Sequence, residues 1–257
     1  MRVHPTAIVA PEAQLEEGVT IGPFSIVGPK VRIGADTEIG PHVVIEGRTS
    51  IGVRNRIHAF AALGGPPQDV GYRDEDTELI VGDDNIIREG ASMHRGSHRG
   101  ATVTRVGNGC FLMAYSHIAH DCQVGDGVIM AHAAILGGHV RIEERVNLGG
   151  LVAIHQYCRV GAFSFVGGTS AARMDIPPYM MADGFPAKLY GLNTIGLERN
   201  GFSKETILAI KRAYRIVFRS NLLLKDAVAK TRQELGSAPE VERLLGFLET
   251  SERGFIR

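Results

Sequence analysis

An aliphatic residue recurs at every sixth position through most of this chain. Val3, Val9, Leu15, Ile21, Val27, Ile33, Ile39, Ile45, Ile51, Ile57 and Leu63 follow one another at that spacing without a miss. The register continues at Val81, Ile87 and Met93, and a second unbroken run leads from Val106 through Leu112, Ile118, Val124, Met130, Leu136, Ile142, Leu148, Ile154 and Val160 to Val166. Glycine often comes next, as in Ile21-Gly22, Ile33-Gly34, Val124-Gly125 and Val166-Gly167. A period of six fits neither a helix nor an alternating strand. It is the mark of an all-β solenoid, a parallel β-helix of hexapeptide repeats. Each hexad gives a short strand and a turn, and three hexads close a triangular coil of about 18 residues. Coils pair through main-chain hydrogen bonds about 4.8 Å apart, so about eight or nine of them predict a prism roughly 40 Å long.

Composition narrows the function classes. The 28 basic and 28 acidic residues cancel, which argues against general nucleic-acid binding. Glycine is abundant at 32 residues and tryptophan is absent, as a core of stacked aliphatics and tight turns requires. Cys110, Cys122 and Cys158 are odd in number and lack metal-type spacing, so they read as small packing residues in a reducing compartment. The repeat is entered at once, no signal peptide is evident, and no apolar run is long enough to span a membrane. A cytoplasmic protein is expected.

Two segments interrupt the hexads, about 64–80 and about 97–105. The first keeps the register and the second shifts it by one residue. Insertions in solenoids emerge as loops, often on the binding face. The repeat domain is expected over 1–188, with Arg173 to Lys188 as a Pro- and Met-rich connector, and an α-helical C-terminal domain over 189–257. Ser203 is a candidate N-cap with Glu205 in the first turn. Ile207, Ile210, Tyr214, Val217 and Phe218 then recur at helical spacing. Further helices are predicted over Leu224 to Leu235 and after Pro239, the last burying Val241, Leu244, Leu245 and Leu248. Such a domain would shield the open sheet edge at one end of the prism.

The histidines carry the functional signal. Counted around an 18-residue coil, with seven residues allowed for the second interruption, His94, His117, His120, His139 and His155 fall near one corner over a few coils. His42 and His58 lie far along the axis. A column of imidazoles offers proton acceptors along a groove. A zinc site like that of hexapeptide carbonic anhydrases fits poorly, because His117 and His120 are too close in sequence.

The motifs Gln68-Asp69, Ile87-Arg88-Glu89, His94-Arg95-Gly96, His117-Ile118-Ala119-His120-Asp121-Cys122, Gly137-Gly138-His139-Val140, His155-Gln156, Ile176-Pro177-Pro178-Tyr179 and Arg199-Asn200-Gly201-Phe202-Ser203 make the chain resemble the UDP-N-acetylglucosamine O-acyltransferase family over almost its whole length. The resemblance implies a left-handed coil and a homotrimer with clefts between neighbouring prisms. It implies the first step of lipid A biosynthesis: transfer of a 3-hydroxyacyl group from acyl carrier protein to the 3-OH of UDP-N-acetylglucosamine, without metal or redox cofactor.

By motif, His120 stands at the family's catalytic base, Asp121 would orient its ring, and Gly138 occupies the oxyanion position. Gln68, Asp69, His94, His117, His139, His155, Gln156, Asn193 and Arg199 match acceptor contacts, the arginine suited to a diphosphate. Gly168 matches the position that gauges acyl length, and glycine there implies a long chain. Lys211, Arg212, Arg215 and Arg219 fall largely along one helix face that could dock the acidic carrier protein.

The match fails at Gly71, where the family has a lysine that helps hold the acceptor sugar; Ile195 and Asn200 replace a glutamate and an arginine. A missing lysine would tolerate a 3-ammonium group, so the 3-amino analogue of the acceptor is an alternative, unless Arg73 restores the charge. A silent trimeric binding scaffold is a further alternative. The related N-acyltransferase carries an extra N-terminal uridine-binding domain, whereas this chain starts directly in the solenoid.

Overall fold

The computed structural model describes residues 2–236 and 238–257. Its hexads build three sheets. The first face starts with Arg2–Val3 and Thr20–Ile21 and holds eleven strands. The second starts with Ile8–Val9 and holds nine; the third starts with Gln14–Leu15 and holds eight. Each coil returns above itself: Val3 pairs with Ile21, Val9 with Val27 and Leu15 with Ile33. Most strands are two residues long, and the second residue, the hexad aliphatic, points inward. Ile118, Met130, Leu136 and Leu148 are at most 1 % exposed. Each such side chain contributes about 1.5–3 kcal/mol by leaving water, so the six-residue period and the packed core are one fact.

The turns close with small polar groups. Asn55 Oδ1 accepts from the Asn85 N–H, and Asn85 Oδ1 from the Cys110 N–H, a ladder running along the edge between third and first faces. Cys110, Cys122 and Cys158 are free and buried, the packing role expected of them.

The interruptions are shorter than the sequence suggested. Strands Ala62–Gly65 and Glu78–Val81 bracket the first loop, and Ser92–His94 and Val103–Val106 the second. The third-face strands lengthen here to four residues because Leu79 and Thr104 pair and point inward, both 0 % exposed.

The expected connector also contains a strand. Met180–Asp183 adds parallel to Phe165–Val166 and turns back antiparallel as Lys188–Leu192, with Met180 and Ala182 buried. This hairpin straddles the 188/189 boundary.

Among the described residues four helices follow: α1 (Thr194–Arg199), α2 (Lys204–Arg219), α3 (Leu224–Leu235) and α4 (Pro239–Glu249). Ser203 caps α2 by accepting from the Thr206 N–H, and Val241, Leu244, Leu245 and Leu248 of α4 are buried, as the pattern predicts. The short α1 is an element that the composition did not announce. The helices also reach along the side of the prism. Arg243 of α4 grips Glu143 and Glu144, and the Arg159 guanidinium lies 4.3 Å from the centre of the Phe247 ring.

Candidate active site

The turn between second and third faces carries the reactive groups. Asp121, His139 and Tyr157 occupy one turn position on successive coils, with φ of 62°, 63° and 65°. That left-handed backbone throws their side chains out along the edge, where His139 and Tyr157 stack with ring centres 4.3 Å apart. His120 crosses His139 edge-on at 5.0 Å. Just upstream, on the second face, His94 and His117 meet edge-on at 5.2 Å, and His117 Nδ1 lies 2.8 Å from Ser92 Oγ. The counted histidine column is therefore real for these four. His155 sits further along the same edge beside Gln156, both exposed, with Nδ1 at 3.2 Å from Arg253.

Asp121 is the anchor. Its carboxylate meets His120 Nδ1 at 2.8 Å and accepts from the N–H and the Oγ–H of Ser97 at 3.0 and 2.6 Å. Burial pushes this carboxyl up, but the bonds from His120 and Ser97 outweigh it and hold the group below the usual carboxylate range. With Nδ1 tied to a carboxylate, His120 presents Nε2 as its free nitrogen. Burial, with the nearby His117 and His120, pushes His94 down to about 4, and burial lowers His117 and His139. These neighbours are therefore neutral near pH 7 and act as hydrogen-bonding groups.

Gly138 lies against the His120 ring: a Cβ there would sit 2.6 Å from Cε1 and 2.7 Å from Nε2. Its own N–H is used in no hydrogen bond among the described residues. A donor beside the free nitrogen of a base is what a developing oxyanion requires. Among the described residues, His120, Asp121 and His139 form a group that could hold a metal, with ligand atoms within 4.8 Å of one another. The Asp121 carboxylate, however, is already taken up by Ser97 and His120.

Both loops reach this corner. In the first, the Gly71 N–H donates to Asp69 Oδ1 at 2.8 Å and fixes that carboxylate; the adjacent Gln68 is exposed. Arg95 clamps the loop through the Gly64 carbonyl and Tyr72 Oη, both 2.8 Å. In the second, Gly100 covers Asp121 so closely that a Cβ would fall 2.3 Å from the carboxylate carbon. Ser97, Gly100 and Tyr157 were not singled out from the sequence. The 18-residue count from His139 would have found Tyr157; Ser97 and Gly100 depend on a loop path that no periodicity encodes.

Other expected residues lie on other edges of the same chain. Asn193 is at the edge between third and first faces, where its Nδ2 donates to the Phe163 carbonyl and its Oδ1 caps α1 through the Gly196 N–H. With Ile195, Arg199 and Asn200 it lines a groove of about 400 Å³ against the first face. Gly168 is at the remaining edge, between first and second faces, and is exposed above Gly150. Lys211, Arg212, Arg215 and Arg219 are all exposed on α2, with Arg219 donating to Tyr214 Oη at 2.8 Å.

Among known proteins, the second domain of a family described as UDP N-acetylglucosamine O-acyltransferase matches residues 175–256, and bacterial transferase hexapeptide repeats match residues 12–47 and 104–138. Proteins named acyl-(acyl-carrier-protein)–UDP-N-acetylglucosamine O-acyltransferase are 54 % identical in Syntrophobacter fumaroxidans and 51 % in Anaeromyxobacter dehalogenans, over 100 % of both chains in each case. The crystal structure of the Moraxella catarrhalis UDP-N-acetylglucosamine O-acyltransferase superimposes with a TM-score of 0.96 at 43 % identity, covering 100 % of each chain. An Acinetobacter baumannii structure gives 0.95 at 41 %, covering 99 % of each. The solenoid is thus the left-handed parallel β-helix of these proteins, against the usual right-handed crossover. With such identity from end to end, the chain belongs to the UDP-N-acetylglucosamine O-acyltransferase family.

Proposed function

We propose that this protein transfers a 3-hydroxyacyl group from acyl carrier protein directly to the 3-OH of UDP-N-acetylglucosamine, the first step of lipid A biosynthesis. The observation that carries this reading is the His120–Asp121 pair set over Gly138. His120 Nε2 takes the hydroxyl proton as the sugar oxygen attacks the thioester carbonyl. The carbonyl oxygen becomes an oxyanion, held by the Gly138 N–H. Collapse of the intermediate breaks the carbon–sulfur bond, and the imidazolium returns its proton to the departing thiolate. Asp121 stabilises the imidazolium throughout. Asp69, Gln68, His94, His117 and His139 surround the acceptor sugar as neutral or anionic hydrogen-bonding groups, with His155 and Gln156 beyond them.

A trimer completes the site. The outward column of the second face is apolar or small for most of its length: Ile8, Ile26, Val44, Ala62, Ile135, Ala153 and Ala171, of which Ile8 is 65 % and Ile135 46 % exposed. Turned toward a threefold axis, this face would be buried. The edge carrying His120 then meets the neighbour's edge carrying Gly168, and the neighbour's first face, with Arg199, turns toward it. Arg199 would bind the diphosphate, and Asn193, its amide committed to Phe163 and Gly196, would hold that groove in shape. Gly168 above Gly150 leaves room for a long acyl chain. The exposed stripe Lys211, Arg212, Arg215 and Arg219 would dock the acidic carrier.

Purified protein with 3-hydroxyacyl carrier proteins of graded length and UDP-N-acetylglucosamine tests this reading by mass spectrometry of the product. An ester of the sugar nucleotide is expected, favouring long-chain donors over short ones, with a donor KM that rises with salt. Nucleotide binding without any ester, at any chain length, would return the chain to a scaffold role.

A further inference from the structure

Arg99, on the second loop, was assigned no role by any motif. A Cβ on Gly71 of the first loop would stand 3.1 Å from Arg99 Cζ, 3.3 Å from Arg99 Nη1 and 3.2 Å from Asp69 Oδ1. The space that a side chain at position 71 would fill is thus occupied by the guanidinium of another loop, beside the carboxylate that the Gly71 N–H fixes at 2.8 Å. Arg99 is exposed, and none of the hydrogen bonds or ion pairs of the described residues uses its guanidinium. The two other arginines of these loops are engaged. Arg95 binds Gly64 and Tyr72. Arg73, the residue that the sequence offered as a replacement charge, spends Nη1 on the carbonyls of Val70 and Tyr72, at 3.1 and 2.8 Å.

The second loop is also tied to the reacting groups. Ser97 and Gly100, two residues before and one after Arg99, pack on the Asp121 carboxylate, and Asp69 is close enough to His139 to favour its charged form. Asp69 and Arg99 therefore flank the approach to the His120 corner as an acceptor and a donor, the pair needed to grip a polyhydroxylated ring from two sides.

We infer that Arg99 supplies the acceptor-binding cation of this site, and that glycine at position 71 leaves that guanidinium the space which a longer side chain would take. The inference rests on the acyltransferase reading and sharpens it. A permanently charged guanidinium beside the sugar disfavours an acceptor bearing an ammonium group, so the neutral 3-OH acceptor is selected over its 3-amino analogue. The cation comes from the second loop and lies against the point where a side chain at position 71 would begin.

The test is steady-state kinetics of three variants, after wild-type transfer to UDP-N-acetylglucosamine has been measured. Absence of wild-type transfer would sink the acyltransferase reading itself, and the inference with it. Given transfer, Arg99→Gln should raise the KM for the sugar nucleotide about tenfold, with kcat within about threefold and the donor KM unchanged, and should narrow the preference over the 3-amino analogue. Arg99→Lys should retain most of the affinity. Gly71→Lys with Arg99→Gln, which returns a cation to the first loop, should recover most of what Arg99→Gln loses. An unchanged acceptor KM in Arg99→Gln would overturn the inference. So would a loss spread over kcat and both KM values, which a merely structural loop residue would give, or a double variant no better than Arg99→Gln alone.

Discussion

Replacing His120 by alanine lowers kcat by about 10³-fold while leaving the KM for UDP-N-acetylglucosamine within a few-fold. General-base catalysis by a positioned side chain contributes roughly 10²–10⁴, and this ring is positioned from two sides. Asp121 fixes Nδ1 at 2.8 Å, and Asp121 is itself fixed by two donors from Ser97. Among the described residues no other histidine of the cluster has its ring set by a carboxylate as closely: His139 stacks on Tyr157, His117 is bonded to Ser92, and His94 packs edge-on against His117. Measured on folded protein with saturating donor, activity within tenfold of wild type would remove His120 from the base role.

The second large effect is expected at Gly138. Its φ is not positive, so alanine is allowed by the backbone; the obstacle is the His120 ring, whose Cε1 and Nε2 would lie 2.6 and 2.7 Å from the new methyl. Contacts that short force the ring away, and its bond to Asp121 goes with it. Gly138→Ala should therefore cost about 10²-fold or more in kcat with little change in thermal stability. The losses should not add: His120→Ala with Gly138→Ala should be scarcely worse than His120→Ala alone, because both disable one base. Turnover of Gly138→Ala within about fivefold of wild type would mean that the oxyanion and base are arranged otherwise.

Much of this molecule could be read from periodicity, and the parts that could not share a cause. The hexads fix which side chains point inward, so the sheets, the core and the buried cysteines follow from counting. Caps and apolar faces marked three helices for the same local reasons. The hairpin at Met180–Asp183 and Lys188–Leu192 escaped because it holds its place through pairing with Phe165–Val166, not through a repeat of its own. Counting by eighteen also brought the histidines to one edge. It could not bring Ser97 to Asp121 or Arg99 to Gly71, since those contacts depend on how two irregular loops fold over the corner. Nor could a list of matched residues reveal that His120, Arg199 and Gly168 belong to three different edges of one prism. That separation would give the proposed trimer a chemical purpose, because one chain alone does not bring the base to the groove beside Arg199.

The most direct test of the composite site is subunit mixing. His120→Ala and Arg199→Ala chains, each nearly inactive at low acceptor concentration, would be co-expressed in equal amounts and assayed as mixed trimers. If each cleft takes its base from one protomer and its diphosphate arginine from the neighbour, about a quarter of the clefts are intact by chance, and about a quarter of wild-type activity returns. Mixed trimers no more active than the average of the two parents would contradict the account, because every chain would then have to build its site from its own His120 and Arg199.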